Sequence, residues 1–562
     1  MIEQHIQETL RDFGKLEGGR RVWDSHFQDL ADVLWPGLAS ITRQSTPGEK
    51  RTGNIYDGTP MLAVRGLVSA IDGMLKPKTS RWMSIRAADD EINEDDGAKS
   101  WLEQATDIMF REFYRPRARF IQASGETDRS LVVLGSGTVF VTESRDMNGL
   151  LFRSLPLRDT FYVENADGVI DTLYWRTTWP AYKAEQVWGR EKLGPEPRRA
   201  LEEKRGDAEF KFLQIIRPRD QREPGRRDAA HMPWQYLAID VASAHVMEES
   251  GFEEWPFATP RWDTESGETY GRSPGMLSLP DSRTLQQQGK TILKAGHMAV
   301  EPPLMAPHES IVRGPSLVPG GITYYNAAAL RAAGLRDPIR PLFTGAQIPL
   351  AREMQRDVRE QIFAGFFRNV LNLPVNGPAM TATEIIERKE EFVRTIGPVF
   401  GRLEADYMAP MVERAFGILL RQGKFPPPPE SLQGQEVRFE FASPVEKVRR
   451  QIDTMNAVRT IEMIAPFVQA DPAIMDNFNG DEIARDAAEF NSMPQSWLNP
   501  RDQVAAKREQ AAAGPAGGPD LMALMGGDGG PPGATDPGSV SDETLAGPLS
   551  AMAGPLSEAV GP

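Results

Sequence analysis

The pentapeptide from Gly271 to Gly275 reads Gly-Arg-Ser-Pro-Gly and has the GxSxG spacing with which serine hydrolases expose a nucleophile. Ser273 is therefore a formal candidate for covalent catalysis. In that motif the residue after the serine donates its backbone N–H to the oxyanion, but here that residue is Pro274, which has no N–H. The pattern favours a turn, and a serine hydrolase using Ser273 is kept as the alternative function.

The tripeptide Gly289-Lys290-Thr291 resembles the end of a phosphate-binding loop, in which a glycine-rich turn points backbone N–H groups at a nucleotide. The motif requires a further glycine at position 284, where this chain has Thr284. The residues around the tripeptide also favour a continuous helix. We therefore predict no nucleotide site here.

Metal and cofactor chemistry has no recognisable pattern in this sequence. The chain contains no cysteine, and its six histidines form neither an HExxH motif nor a pair four residues apart. Carboxylates are abundant, but one sequence alone cannot pair two of them as acid and base. We predict no metal, no cofactor and no enzymatic activity.

Two segments could contact nucleic acid, and for both a simpler explanation is favoured. Five arginines lie between Arg217 and Arg227, but acidic residues, prolines and a glycine are interleaved with them, which is typical of a solvated loop. A group of aromatic residues could stack bases, but few basic residues accompany it. We predict that these aromatic residues pack in a core or a subunit interface: Tyr174, Trp175, Trp179, Tyr182 and Trp188.

Composition and charge narrow the class of protein. The chain has 562 residues, of which 40% are hydrophobic and 25% charged, so it should fold into two or three regions rather than around one core. Its net charge is −15, whereas proteins that hold DNA tightly are usually basic. If DNA is a partner, it must be able to slide. We predict neither a signal peptide at Met1 to Gly14 nor a membrane-spanning helix.

The first half of the chain is predicted to mix helices and strands. Apolar residues at helical spacing from Trp23 to Leu34 indicate an amphipathic helix that ends at Trp35-Pro36. The segment from Asp57 to Pro60 has the residues of a helix start, and that helix should run to Leu75. Further along, we predict a helix at Trp101 to Tyr114 and strands at Leu150 to Leu155, Thr160 to Glu164 and Val169 to Thr177.

The second half is predicted to be mainly helical. Helices at Asp281 to Ala299 and Leu350 to Phe367 flank an insertion rich in proline and glycine. A longer helix is predicted from Thr381 to Gly423, with kinks at Pro398 and Pro410, because apolar residues there alternate steps of three and four. A strand at Val437 to Phe441 and a helix from Pro444 to Val468 come next. The residues after Arg508 are poor in apolar side chains and should be disordered.

The order of these landmarks resembles the head-to-tail connector family of short-tailed, T7-like bacteriophages, the portal proteins, over about residues 15 to 490. The pieces that carry the resemblance succeed one another in this order: Trp23 to Pro36; Asp57-Gly58-Thr59; Lys76-Pro77 with Arg81-Trp82; Gly135-Ser136-Gly137-Thr138; Pro156-Leu157; Asn165-Ala166-Asp167-Gly168; Gly267-Glu268-Thr269-Tyr270-Gly271; Leu279-Pro280-Asp281; and Met380 to Glu384 leading through Glu387-Arg388 to Gly397-Pro398.

The resemblance implies an α+β, mainly helical fold and a ring subunit with wing, stem, clip and crown regions. Its regions would be a wing at 1–275, stem helices at 276–300 and 349–368, a clip at 301–348, a tunnel loop at 369–380, a long kinked helix and a strand returning to the wing at 381–443, crown helices at 444–508 and a disordered tail at 509–562. The residues implied to touch DNA in the tunnel loop are Asn372, Pro374, Asn376, Gly377 and Pro378.

The resemblance also implies a function and a set of partners. Such a protein forms a ring of about twelve copies, since a heterologous interface can close by rotation. The ring replaces one capsid vertex in the virion, forms the channel for genome packaging and ejection, and is assembled in the host cytoplasm. Its partners would be major capsid and scaffolding proteins, the terminase large subunit, tail adaptor proteins and double-stranded DNA in transit, without a membrane. An acidic structural virion protein of another class is a second alternative.

Overall fold

The computed structural model describes residues 2–43, 48–89, 91–144, 146–219, 222–223, 225–226, 228–308, 318–326, 340–341, 347–368, 397–435 and 437–441, together with isolated positions elsewhere. The chain divides into two compact units, Met1–Leu498 and Asn499–Pro562. Few residues of the second unit are described, and every helix and strand with defined bounds belongs to the first. The predicted tunnel loop 369–380, the start of the long helix at 381–394 and the tail 509–562 lie outside the described residues, as does most of the crown 444–508.

Nine α-helices have defined bounds among the described residues. They are α1 Ile2–Leu34, α2 Thr59–Leu75, α3 Asp96–Phe113, α4 Phe120–Leu134, α5 Ala181–Trp188, α6 Pro195–Glu202, α7 Pro274–Val300, α8 Ile348–Gly365 and α9 Ala409–Arg421. A helical segment at 397–403 and a π-turn at Glu404–Met408 lead into α9. The helices predicted at 59–75, 101–114, 281–299 and 350–367 are confirmed.

The predicted start of the first helix was wrong, because α1 begins about twenty residues before Trp23. Its first half has a second apolar row, in which Ile6 and Phe13 are buried against a sheet. Leu10 and Leu16 pack beside them, so the apolar residues recur at steps of four and three, a helical spacing that the prediction overlooked. Helix α7 likewise begins at Pro274, several residues before the predicted Asp281.

A five-stranded antiparallel sheet forms the largest β element, with its strands in chain order. The strands are β4 Thr160–Glu164, β5 Ile170–Pro180, β6 Glu209–Pro218, β7 Trp234–Asp240 and β8 His245–Phe252. Successive side chains of a strand point to opposite faces, so Tyr174 packs with Phe13 of α1 on one face while Trp175 belongs to the main core on the other. The predicted strands at 160–164 and 169–177 are confirmed.

Three smaller sheets complete the described strands. Strand β2 Val139–Glu143 lies between β3 Leu150–Ser154 and β9 Phe257–Ala258. Strand β10 Leu304–His308 pairs in parallel with β11 Ile322–Asn326 and antiparallel with β12 Arg340–Pro341. The predicted strand at 437–441, here β13 Val437–Phe441, pairs antiparallel with β1 Met83–Ala87 and so joins the two ends of this unit.

The aromatic residues singled out in the sequence lie mostly in the core. Tyr174, Trp175, Trp179 and Trp188 are buried, and Trp179 and Trp188 pack with ring centroids 5.4 Å apart. Tyr182 is the exception, because it lies on the solvent face of the short helix α5 and is half-exposed. Core packing is therefore confirmed for four of the five. The mixture of helices and sheets confirms the predicted α+β class.

Candidate functional site: the paired helices α7 and α8

Ser273 is the N-cap of helix α7. Its Oγ accepts a hydrogen bond from the backbone N–H of Met276 at 3.0 Å and donates one to the carbonyl of Val133 at 2.9 Å. Pro274 is the first helical residue, where a missing N–H costs nothing. The GxSxG spacing is thus the start of a helix, and the hydroxyl group is buried and bonded to backbone atoms. This geometry gives the hydrolase alternative no support.

Gly289, Lys290 and Thr291 lie in the middle of α7, as the continuous-helix interpretation predicts. The Thr291 hydroxyl donates to the carbonyl of Gln287 at 2.9 Å, which is a contact within one helix turn. Backbone N–H groups in the middle of a helix are already bonded to carbonyls of the preceding turn, so they cannot cradle a phosphate. The tripeptide therefore forms no phosphate-binding loop.

Helices α7 and α8 pack against each other in antiparallel directions through small residues. Gly365, at the end of α8, lies so close to Ser278, near the start of α7, that a Cβ atom there would clash with the Ser278 hydroxyl. In the middle of α7, a Cβ on Gly289 would lie 3.8 Å from Gln355 Nε2 and 3.0 Å from Tyr56 Cβ. Small side chains at both levels let the two helices approach closely.

Asp57 ties this pair of helices to α2. Its Oδ1 accepts hydrogen bonds from the N–H and the hydroxyl of Thr59 at 2.8 and 2.6 Å, at the start of α2. Its Oδ2 accepts bonds from Arg359 of α8, the closer at 2.7 Å. Gln286 of α7 accepts from the N–H groups of Tyr56 and Asp57 at 2.7 and 3.0 Å. One loop thus fixes three helices.

The charge on Asp57 is favoured by these contacts. Partial burial alone would raise the pKa of Asp57, but the hydrogen bonds from Thr59 and the Arg359 guanidinium outweigh it and lower the pKa below its ordinary value. Asp57 therefore stays ionised at neutral pH. A carboxylate beside the start of α2 also interacts favourably with the positive end of that helix.

The glycines of two family landmarks pack against each other where α4 ends. Gly135 has a φ of +85°, which favours glycine, and a Cβ atom there would clash with the Gly271 carbonyl. The Gly271 N–H donates to the hydroxyl of Ser136 at 2.8 Å, and the Trp262 N–H donates to the Gly135 carbonyl at 2.9 Å. The Gly-Ser-Gly-Thr and Gly-Glu-Thr-Tyr-Gly segments therefore form one contact that sets the position from which α7 begins.

A buried arginine joins α1 to the same region. The Arg20 guanidinium donates to the carbonyls of Thr160 and Leu157, lies 4.3 Å from the Phe161 ring centre and pairs with Asp24 at 2.8 Å. Tyr270, from the second landmark, lies at 3.5 Å from Arg20 through its hydroxyl group. These contacts supply acceptors for the N–H groups of a guanidinium that is itself buried.

Lys76 and Asp128 form an ion pair in the interior, and both side chains are fully buried. Lys76 Nζ lies 2.6 and 2.8 Å from the two Asp128 oxygens and 3.3 Å from the Tyr407 hydroxyl. Burial raises the pKa of Tyr407 well above its ordinary value, so its hydroxyl stays neutral. This contact connects the end of α2, the middle of α4 and the π-turn before α9.

The π-turn at Glu404–Met408 precedes Pro410, where the sequence predicts an interruption of the helix. Proline has no N–H, so the carbonyl of Asp406 loses its usual donor four residues later. The N–H of Thr259 donates to that carbonyl instead, at 3.2 Å. The helix is therefore interrupted at the point where it contacts the segment after β9. The residues before Pro398 are only partly described, so the kink predicted there stays a prediction.

The predicted tunnel-loop residues Asn372, Pro374, Asn376, Gly377 and Pro378 all lie outside the described residues. In the described part of the chain, no group of three or more histidine and acidic side chains could hold a metal ion. None of the described helices combines the length and the apolar character needed to cross a membrane.

A family model described as "Bacteriophage head to tail connecting protein" matches residues 7–498. The chain belongs to this family. It is therefore a structural component of the junction between the head and the tail of a virion or phage-like particle. Three of the landmarks that carried the resemblance in the sequence contain residues that help to position α7 in this connector: Asp57, Gly135 and Gly271.

Two relatives and several solved structures resemble the connector. The "Probable portal protein" of Bordetella phage BPP-1 is 28% identical over 91% of this chain and 92% of its own length, and the "Portal protein" of Salmonella phage epsilon15 is 25% identical over the same shares. A chain in "Virion of native gene transfer agent (GTA) particle" covers 76% of this chain and 91% of its own length, with 10% identity and a TM-score of 0.35. A TM-score of this size does not establish a shared fold.

Sequence reasoning missed the contacts that hold this site together. Neither Arg20 nor the pair of Lys76 and Asp128 stood out, because a charged residue in a helix is usually exposed. The sequence contains one signal for Asp128. It lies three residues before the fully apolar run from Leu131 to Leu134, which places it on the buried face of α4. Its partner Lys76, 52 residues away, belongs to the Lys76-Pro77 landmark, but nothing in that pattern indicates that its charge is buried.

Proposed function

We propose that this connector is one subunit of a closed ring of about twelve copies that forms the DNA channel at one capsid vertex. The observation that carries the proposal is the similarity to two portal proteins over 91% of the chain. Such a ring serves genome packaging and ejection. It docks the terminase large subunit and, later, tail adaptor proteins, and it is built with major capsid and scaffolding proteins in the host cytoplasm.

The antiparallel pair of α7 and α8 supports an assignment of these helices as the stem. They are joined by the segment 301–347, of which the described residues include β10, β11 and β12. This connection fits a clip that extends from the end of the stem. The wing would then be the sheets and helices before α7, with β13 returning to it, and the crown would come after β13.

The charge of the chain suits a channel through which DNA moves. A basic protein binds DNA tightly because its contacts with phosphates release counterions. A chain with a net charge of −15 gains little from this effect, so it should not hold each phosphate in place. The tunnel loop, as we assign it, has no charged residue between Asn369 and Met380, and asparagine amides can bond phosphate oxygens without adding positive charge. A neutral lip on an acidic ring would guide DNA without retaining it.

The ring is tested directly by purifying the full chain. Native mass spectrometry and negative-stain electron microscopy should show closed rings of uniform size with a central channel. A chain that stays monomeric over a wide concentration range would contradict the proposal. The tail at 509–562 is expected to be dispensable, so truncation after Arg508 should leave ring formation unchanged.

The tunnel-loop assignment has its own test. Replacing residues 372–378 by two glycines should leave rings intact but impair packaging or retention of full-length DNA in heads that contain the variant. The expected defect is measured as the length of DNA recovered from purified heads. Normal packaging and retention would refute the loop assignment while leaving the ring proposal untouched.

A further inference from the structure

The outer side of α7 has an uncompensated pair of positive charges. Lys290 and Lys294 are exposed and four residues apart, so they lie on one side of the helix. At about 100° per residue, they point about 100° and 140° away from Gly289, which faces α8. Lys290 lies 6.0 Å from the Tyr56 ring, and neither lysine forms an ion pair with any described residue.

The outer side of α8 has a matching pair of negative charges. Glu353 and Asp357 are exposed and also four residues apart. Each is two residues from Gln355, which faces α7, so each points about 160° away from that contact. Arg356, which lies between them in the sequence, is already paired with Glu360 at 3.3 Å. Glu353 and Asp357 have no ion pair within the described part of the chain.

The two sides therefore lie on different helices of one layer, and each points away from the contact between the helices. Gly289 is level with Gln355, which puts the lysine pair and the acidic pair at about the same height along the layer. Leu350, which points about 140° away from the contact with α7, is 52% exposed beside the acidic pair. Like charges four residues apart destabilise a helix, and here neither pair is offset by any described residue of the chain. A second copy placed beside the first would offset both.

We propose that the α7 side, Lys290 and Lys294, binds the α8 side, Leu350, Glu353 and Asp357, of a second copy of this chain. The proposal rests on the ring proposed above and names the surfaces that join its subunits. The contact is heterologous, because the two surfaces differ, and contacts of that kind repeat around a ring until it closes. Opposite charges on the two surfaces also set the register between neighbouring copies.

The test uses two charge-reversed forms of the full chain. In the first, Lys290→Glu with Lys294→Glu makes both sides acidic; in the second, Glu353→Lys with Asp357→Lys makes both sides basic. Each form alone is expected to lose its rings in native mass spectrometry, because like charges now meet at every contact. An equimolar mixture of the two forms is expected to recover rings in which the forms alternate, as is a single chain with all four substitutions.

The controls separate this contact from other effects. Lys78→Glu with Lys211→Glu changes the charge by the same amount at exposed positions outside α7 and α8, and rings should persist. A form that merely failed to fold would not be recovered by mixing. Rings in either reversed form alone, or a mixture of folded forms that yields none, would refute the contact. Intact rings with impaired packaging would show that the lysines face DNA instead. If the unaltered chain forms no rings, the ring proposal itself fails.

Discussion

Two regions of the connector use a carboxylate and a cation to hold helices together; the carboxylate is largely buried in both, but the cation is buried in only one. In the interior, Lys76 and Asp128 are fully buried and share their contact with Tyr407. At the edge of the layer of α7 and α8, Asp57 bonds Thr59 and Arg359, whose side chain is 42% exposed. The inner pair excludes water, whereas the outer network can exchange protein contacts for water when it opens.

The difference decides what each region can tolerate. A buried charge that loses its partner has no water to replace it, so the interior contact should fail as a unit. In the layer of α7 and α8, close packing of small residues supplies the fit and the polar contacts at its edge add smaller increments. The interior should therefore be the most sensitive region of the chain, and the layer should respond in smaller steps.

The largest expected effect is that of Asp128→Ala. It leaves the Lys76 ammonium buried without an opposite charge, which should lower the free energy of unfolding by about 3–5 kcal/mol. Urea denaturation monitored by fluorescence measures this loss. Replacing both residues, with Lys76→Met and Asp128→Leu, should recover most of it, because no buried charge then remains.

A matched control for the interior pair lies on the surface. Asp146 pairs with Arg117 at 3.2 Å, and both side chains are mostly exposed. Asp146→Ala should therefore cost no more than about 1 kcal/mol. If Asp128→Ala and Asp146→Ala had equal effects, burial would not be what distinguishes the two regions.

The next effect is expected from Gly365→Ala in the layer. The added methyl group meets the Ser278 hydroxyl, and crowding of this kind in a packed interface costs about 1–3 kcal/mol. Thermal unfolding of the full chain measures it. Gly66→Ala in α2 is the control, because a Cβ there meets nothing within 4 Å, and it should stabilise the chain by up to about 1 kcal/mol. Combination with Ser278→Gly should relieve the crowding.

The smallest effect is expected from Asp57→Ala, which removes the hydrogen bonds to Thr59 and Arg359. The loss should be about 0.5–2 kcal/mol at neutral pH. Because the pKa of Asp57 is lowered in the folded chain, its contribution is complete above the ordinary value of 3.8 and is lost as the pH falls through the lowered one. The difference between the two chains should therefore shrink in acid. A difference that grew as the pH fell would contradict the role of the charge.

Arg359→Ala sharpens this comparison. If Asp57 acts through both partners, the double variant should lose less than the sum of the two single variants, because both remove the same contact. Additive losses would mean that Asp57 acts only through its hydrogen bonds to Thr59 at the start of α2.

Much of the fold can be predicted from local patterns in the sequence. The bounds of α2 are predicted well because Pro60 begins the helix and Lys76-Pro77 ends it. The antiparallel strands β4 and β5 are rich in aromatic and β-branched residues, which favour strands, and Pro410 marks the interruption before α9. The sequence predicts a turn at Ser273, whereas the structure has the start of a helix there. Both conformations accept Pro274, because neither needs its missing N–H.

The remaining features depend on partners that are distant in the chain. Gln286 bonds Asp57 across 229 residues, and the pattern of α7 gives no reason to single it out. The exposure of Tyr182 could not be predicted either, because it depends on which side of α5 packs against the sheet. The opposite charges on α7 and α8 became apparent only when the facing residues, Gly289 and Gln355, fixed the outward directions.

The pairing of β1 with β13 has a consequence for how the chain reaches this state. Arg86 and Glu440, on the paired strands, are separated by 354 residues. At a synthesis rate of about 5–20 residues per second, β1 leaves the ribosome roughly 20–70 s before its partner exists. During that time its edge is open to other strands. Pairing over such a distance in the chain also slows folding. This sheet can therefore form only in a chain that extends at least to Phe441, and a chain that ends earlier keeps an open edge that makes it prone to aggregate.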